Sequence, residues 1–355
     1  MLKKLIRRTV FDRVDAFRAE RTLAVLDSIL SLAADDPARC EPERAPDPGR
    51  LRISWVVPPF PPGSGGHATV FHAINHFAAR GHPQRLVVFD PFSKDPLEGL
   101  ARVLHEHYGG ADAELVYYSA AEAQRPADVV VATSWHTAYA VGSMRRTARK
   151  LYLVQDMEHL FYPAGSEAVL AEETYRFGFP VLCAGEWLRR ELADGYGAAA
   201  RSFEFAFDRT LYADAGGPRA PRVLCYARPS TPRRAFELAV LALRELQRLA
   251  PEVEIVFFGA DRLPPLRGLR ATNRGMLRPR ELNELYNGAT AGLVISTTNY
   301  SLVPLEMMAS GLPVVDLALG NNTAIYGDAP AHITLAPPAP RELARAVHAL
   351  LADDA

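Results

Sequence analysis

"WVVPPFPPGSGGHATVF", residues 55 to 71, is the stretch on which the reading of the fold turns. Gly63, Gly65 and Ala68 fit the spacing G-x-G-x-x-G/A, and Asp90 closes the next apolar run, "RLVVFD", about 20 residues on. Glycines for a tight strand-to-helix turn, with an acid at that distance, are the pattern of a dinucleotide cradle. Two features stand against that reading. Residues 58 to 62, all Pro or Phe, separate the strand from the glycines, and His67 sits inside the turn. A lone pattern of this kind is weak evidence, so the surrounding chain decides.

Working outward, residues 51 to 57 read as a strand and 68 to 81 as a helix ended by Gly81. Apolar strand patterns follow at "RLVVFD", "ELVYYS", "DVVVATS", "KLYLVQD" and "FPVLCAG". Strands alternating with helices predict a parallel sheet covered on both faces. The Gly/Pro-rich segment "ADAGGPRAP" (213 to 221) reads as a hinge, after which "RVLCYA", "VEIVFFG", "AGLVIST" and "LPVVD" alternate with helical patterns ending in 341 to 351. The expected organisation is an N-terminal helix (1–38), a Pro-rich linker (39–50), a Rossmann-like domain (51–212), a hinge (213–221) and a second Rossmann-like domain (222–355). A length of 355 residues suits two such domains. Ligands of such sheets bind at the carboxyl ends of the strands, here expected in a cleft between the domains.

Composition narrows the function classes. Hydrophobic residues make up 48% and charged residues 23%, and the formal net charge is −1, so no global field recruits nucleic acid or membrane. Cys40, Cys183 and Cys225 are far apart, which argues against a disulfide framework or a structural zinc site and fits a reducing cytoplasm. No apolar run approaches the ~18 residues of a membrane span, and no secretory h-region opens the chain. Leu2, Leu5, Ile6, Val10, Val14, Phe17, Leu23, Leu26, Ile29 and Leu30 form a helical stripe. Residues 1 to 21 carry seven basic and three acidic side chains, a balance that suits an anionic lipid surface or, slightly preferred, packing on the protein itself or a partner.

The most informative chemistry lies at 297 to 316, "TTNYSLVPLEMMASGLPVVD". A loop enters a helix near Val303-Pro304, whose N-terminal N–H groups suit a phosphate, and Glu306 lies one turn in, within reach of a sugar hydroxyl. The same residues read equally as a plain helix, turn and strand with an exposed acid.

This segment resembles the signature of the retaining family 4 nucleotide-sugar glycosyltransferases of GT-B architecture, Glu-x7-Glu followed by Ala-Met-Ala-x-Gly-x-Pro-Val-Val. Glu306 and "MMASGLPVV" match, whereas the family's first Glu is Thr298 here. The resemblance implies Glu306 on the donor ribose and Thr298, Asn299 and Tyr300 near the donated sugar, with Ser301 and Leu302 at the diphosphate. "YARPSTPRRAFELAV" is similar to the family's diphosphate grip, with Arg228 and Arg233 in the two basic positions. "NRGMLRPRELNELYNGA" resembles its nucleobase loop, which would place Gly275, Met276 and Leu277 around the base. In the first domain the resemblance makes Gly65, Gly66 and His67 a loop facing the diphosphate and sugar, puts His136 beside the donor sugar, and turns Asp156 and Glu158 towards the acceptor as catalytic candidates. "VQDMEHLFYPAGS", "AEETYRFGFPVLCAGEWL" and the stretches above are similar to the bacterial rhamnosyltransferases of rhamnan and cell-surface glycan assembly. That similarity implies dTDP-β-L-rhamnose as co-substrate, a growing surface glycan as acceptor, retention of configuration, and a cytoplasmic protein, peripheral at the membrane at most. No Asp-x-Asp occurs, so no metal clamp or other cofactor is expected. The competing readings are an NAD-dependent oxidoreductase using residues 63 to 68 with Asp90, a nucleotide-sugar epimerase of the same fold, and a glycan-binding protein without activity.

Overall fold

The computed structural model describes residues 16–17, 19–91, 96–327 and 332–353. Most of the basic N-terminal segment, residues 1–15 and 18, therefore lies outside the described residues. Residues 19–30 are helical, with Leu26 and Ile29 buried and Leu23 and Leu30 exposed, so this part of the stripe packs through Leu26 and Ile29.

Seven strands form the first sheet: β1 (Ile53–Val57), β2 (Gln84–Val88), β3 (Glu114–Tyr117), β4 (Ala127–Ala132), β5 (Thr147–Val154), β6 (Val181–Ala184) and β7 (Ala200–Phe203). Their spatial order is β3-β2-β1-β4-β5-β6-β7. Six form the second: β8 (Ala220–Tyr226), β9 (Glu254–Phe258), β10 (Thr272–Asn273), β11 (Ala289–Leu293), β12 (Val314–Leu317) and β13 (Ile333–Ala336), in the order β10-β9-β8-β11-β12-β13. Pairing is parallel, as between β1 and β2 and between β8 and β9. Every residue of β1 and β2 is buried, the signature of a sheet covered on both faces.

Each sheet reverses its winding once. The chain steps outward from β1 to β3, then returns to the other side of β1 as β4; it steps from β8 to β10, then returns beside β8 as β11. These reversals are topological switch points, and the crevice outside the strand ends there is where open α/β sheets bind ligands.

Two compact units emerge, and they interleave along the chain. The first holds the described residues up to Val154, Tyr162–Val181 and Tyr196–Ala199; the second holds Gln155–Phe161, Leu182–Gly195 and the described residues from Ala200. Segment 213–221 lies within the second unit, where Arg219 bonds the carbonyls of Tyr286 and Ala289. Strand alternation explains the second unit's core: Val223, Cys225, Ile255 and Phe257 face helices Phe236–Leu249 and Pro340–Asp353, while Leu224, Val256 and Phe258 pack with Tyr286 and Met307. Among the described residues no helix is long and apolar enough to cross a membrane.

Candidate functional site

The richest cluster sits at the switch point of the second sheet. Past β8, Ala227 still pairs with Phe258, and Arg228 then donates to the Gly259 carbonyl at 3.1 Å and rests 3.6 Å from the Met276 sulfur. Gly259 has φ +96°, and a Cβ there would meet the Tyr226 ring at 2.6 Å, so only glycine lets the chain turn away from β9 this close to Tyr226. Residues Pro232–Arg234 form a single 3-10 turn, and Ala235, at φ 36°, swings the chain directly into helix Phe236–Leu249. A left-handed alanine costs roughly 1–2 kcal/mol, strain held at the foot of the arginine pair.

The loop after β11 is stitched to this turn. The Thr297 N–H and hydroxyl both donate to the Arg233 carbonyl, at 3.1 and 3.0 Å, and Arg234 donates to the Ser296 hydroxyl at 2.8 Å. Arg233 lies over the Phe161 ring, 3.9 Å from its centroid, and its Nε is 3.3 Å from an Asp156 oxygen, an ion pair without hydrogen-bond alignment. Burial lowers the pKa of Arg233 and raises that of Asp156, each opposed by the other's charge. Both Asp156 oxygens are engaged: one accepts from the Met157 N–H and the other from the Thr298 hydroxyl, each at 2.8 Å. Position 298, where the resemblance expects an acid, is thus a threonine whose hydroxyl meets a carboxylate from a different segment. Glu158, buried on the turn Glu158–Phe161, adds its charge to the surroundings of Arg233.

The neighbouring residues anchor the loop. Asn299 donates to the carbonyls of Gln155 and Ala184, at 2.9 and 3.0 Å. The Tyr300 hydroxyl donates to Glu204 and accepts from the Phe205 N–H, both at 2.9 Å. Ser301 then precedes helix Leu302–Ala309, and its hydroxyl is buried without a hydrogen-bond partner among the described residues. Pro304 falls in the first helical turn, as expected. Burial pushes the Glu306 carboxyl up to about 7, opposed by a hydrogen bond with Tyr212. Gly275, at φ 69°, and Met276 form a turn beyond β10; the Met276 N–H bonds Asp261 at 2.9 Å, and Leu277 packs against the core.

Gly65, Gly66, His67 and His136 belong to the first unit, at its own switch point. Here the glycine reading needs correction. Helix Gly65–Ala78 begins three residues earlier than expected, so Gly65 and Gly66 form its first turn, and the left-handed position is Gly63, at φ 73°. Tyr108 closes the loop by bonding the Pro61 carbonyl and the Ser64 N–H. His67 bonds Ser64 at 2.8 Å among the Phe60 and Phe71 rings; His136 opens helix Trp135–Ser143 and stacks 3.9 Å from Trp135. Burial pushes both imidazoles down to about 4, so both are neutral near pH 7.

Sequence reasoning missed Asp316. It ends "LPVVD" with no exposure, accepts from the N–H groups of Ser296 and Leu317 at 2.9 and 2.7 Å, and burial pushes it up to about 7. An acid closing an apolar strand beside a switch point was the available signal. Phe161 and Thr297 gave no signal, because their roles depend on segments far apart in sequence.

Known proteins share this architecture. A mutant of S. aureus TarM, solved with fondaparinux, alpha-GlcNAc-glycerol and UDP, superposes with a TM-score of 0.68 at 9% identity, covering 86% of this chain and 93% of that one. Anabaena Alr3699/HepE, solved with UDP and glucose, gives 0.63 at 16% identity over 86% of this chain and 90% of that one. The fold is GT-B. In sequence, residues 221–348 match the WsaF C-terminal domain and residues 118–183 the WsaF N-terminal domain. The O-antigen biosynthesis protein RfbC of Myxococcus xanthus is 36% identical over 277 residues, 75% of this chain. The chain spans 22% of that relative's length.

Proposed function

We propose that this chain is a glycosyltransferase of cell-surface glycan synthesis, moving a sugar from a nucleotide-sugar donor to a growing glycan. The observation that carries the reading is the convergence of Arg228, Arg233 and Arg234 with the N-terminus of helix Leu302–Ala309 at one switch point. Guanidiniums and helical N–H groups are the donors that stabilise a leaving diphosphate. The WsaF matches, the RfbC similarity and the GT-B fold support the same reading. Its finer form is a retaining family 4 enzyme using dTDP-β-L-rhamnose, for which the quoted motifs are the support.

In this mechanism the bond from the anomeric carbon to the phosphate oxygen breaks as the acceptor oxygen bonds to the same face. The acceptor proton passes to the leaving phosphate, so no protein nucleophile is needed. Arg228 and Arg233 neutralise the diphosphate, a role that needs no metal, and Glu306 accepts from the ribose hydroxyls. Glu158 orients the acceptor. The oxidoreductase reading is weaker, because residues 58 to 62 keep Gly63 away from the end of β1. Epimerisation would need no acceptor, which the following experiment tests.

Radiolabelled dTDP-L-rhamnose, UDP-glucose and GDP-mannose are each offered with bacterial membranes bearing glycan acceptors. The expected result is label in the glycan from the rhamnose donor, with the anomeric configuration kept, and loss of transfer in Arg228→Ala. Donor epimerised without any transfer would contradict the proposal.

A further inference from the structure

We infer that Asp156 is a positioning residue that presents Arg233 to a phosphate, and that it is not a group that touches the acceptor. The inference rests on the proposed function and assigns Asp156 a role different from the one the resemblance implied. Three observations carry it. First, Asp156 is 9% exposed and both its oxygens already accept hydrogen bonds, from Met157 and Thr298, so the carboxylate is held in place beside Arg233. Second, Arg233 is restrained on three sides. Its Nε edge lies against Asp156, its face lies on Phe161, and its carbonyl takes two bonds from Thr297. Third, the restraint leaves the terminal nitrogens free of hydrogen bonds among the described residues, the approach to Asp156 being closest through Nε.

A guanidinium held by its Nε edge and its face, with the Nη atoms uncommitted, is a preorganised donor for a phosphate oxygen. Holding that geometry before the ligand arrives removes the ordering cost of a long side chain. Thr298 completes the device by fixing the carboxylate that fixes the arginine. The substitution of threonine for the family's acid at 298 therefore accompanies a carboxylate supplied from residue 156.

The test is calorimetric titration of wild type, Asp156→Asn and Thr298→Val with dTDP, UDP and the nucleosides thymidine and uridine. Thermal unfolding of each variant checks the fold, and Thr298→Val, which keeps the volume and deletes one bond, is the milder perturbation. The expected result is diphosphate affinity at least tenfold weaker in Asp156→Asn and weakened in Thr298→Val, with nucleoside affinity unchanged. Wild-type diphosphate affinity in Asp156→Asn, whether or not turnover falls, would overturn the positioning role alone. Failure of wild type to bind either diphosphate would overturn the proposed function and this inference with it.

Discussion

Asp316 has no exposed surface, and among the described residues its second oxygen is buried without a hydrogen-bond partner. Its carboxyl is pushed up to about 7 from an ordinary 3.8, so the folded protein binds this proton more tightly than the unfolded chain. The sign follows: the ionised form costs stability, and that cost grows as pH rises from about 4 to about 7. At 1.36 kcal/mol per unit the full effect is at most about 4 kcal/mol. Urea unfolding at pH 5 and pH 7.5 should show a smaller fall in Asp316→Asn than in wild type; an equal fall would contradict the assignment. His67 and His136 act in the opposite direction, because their folded values near 4 lie below the ordinary 6.5. Stability held above pH 6.5 is lost as the pH falls towards 4, and His136→Gln should flatten that acid limb.

At the scale of elements, the turn before helix Phe236–Leu249 is the strained joint. Replacing Ala235 with glycine relieves a φ of 36°, offset by greater freedom in the unfolded chain. The expected outcome is a gain of up to about 1 kcal/mol in denaturant unfolding; a loss would show the alanine methyl to be a needed contact. Along that helix, Leu243→Ala should cost about 2–5 kcal/mol, since Leu243 is fully buried, while Leu241→Ala, 46% exposed, should stay within roughly 0.5 kcal/mol. This helix was legible because its apolar residues repeat at helical spacing. Strands β7 "ARSF", β10 "TN" and β13 "ITLA" were not, being too short or too polar to show a period. The start of helix Gly65–Ala78 was misread because two glycines at a helix N-terminus look like loop.

Across the whole molecule, the sequence displayed two parallel α/β sheets because their strands are apolar runs divided by turn signals. It displayed Arg228, Arg233 and Glu306 because a motif carries them. It could not display that Gln155–Phe161 belongs with the second unit, where Asp156 lies beside Arg233 and the Phe161 ring lies under its guanidinium. Contacts such as Thr298 to Asp156 join residues 142 positions apart, and no local pattern encodes them.

The central claim is that the second sheet's switch point holds a nucleoside diphosphate. Its most direct test is thermal unfolding with dTDP, dTDP-L-rhamnose, UDP, GDP and NADH, each alone, in wild type and Arg228→Ala. Ligand at 100 times its dissociation constant stabilises by about 2.7 kcal/mol, a midpoint rise of a few degrees. The account predicts that rise with dTDP and its rhamnose conjugate, its loss in Arg228→Ala, and none with NADH. A rise with NADH alone, unaffected by Arg228→Ala, would contradict it and return the glycines at 63 and 65 to a dinucleotide.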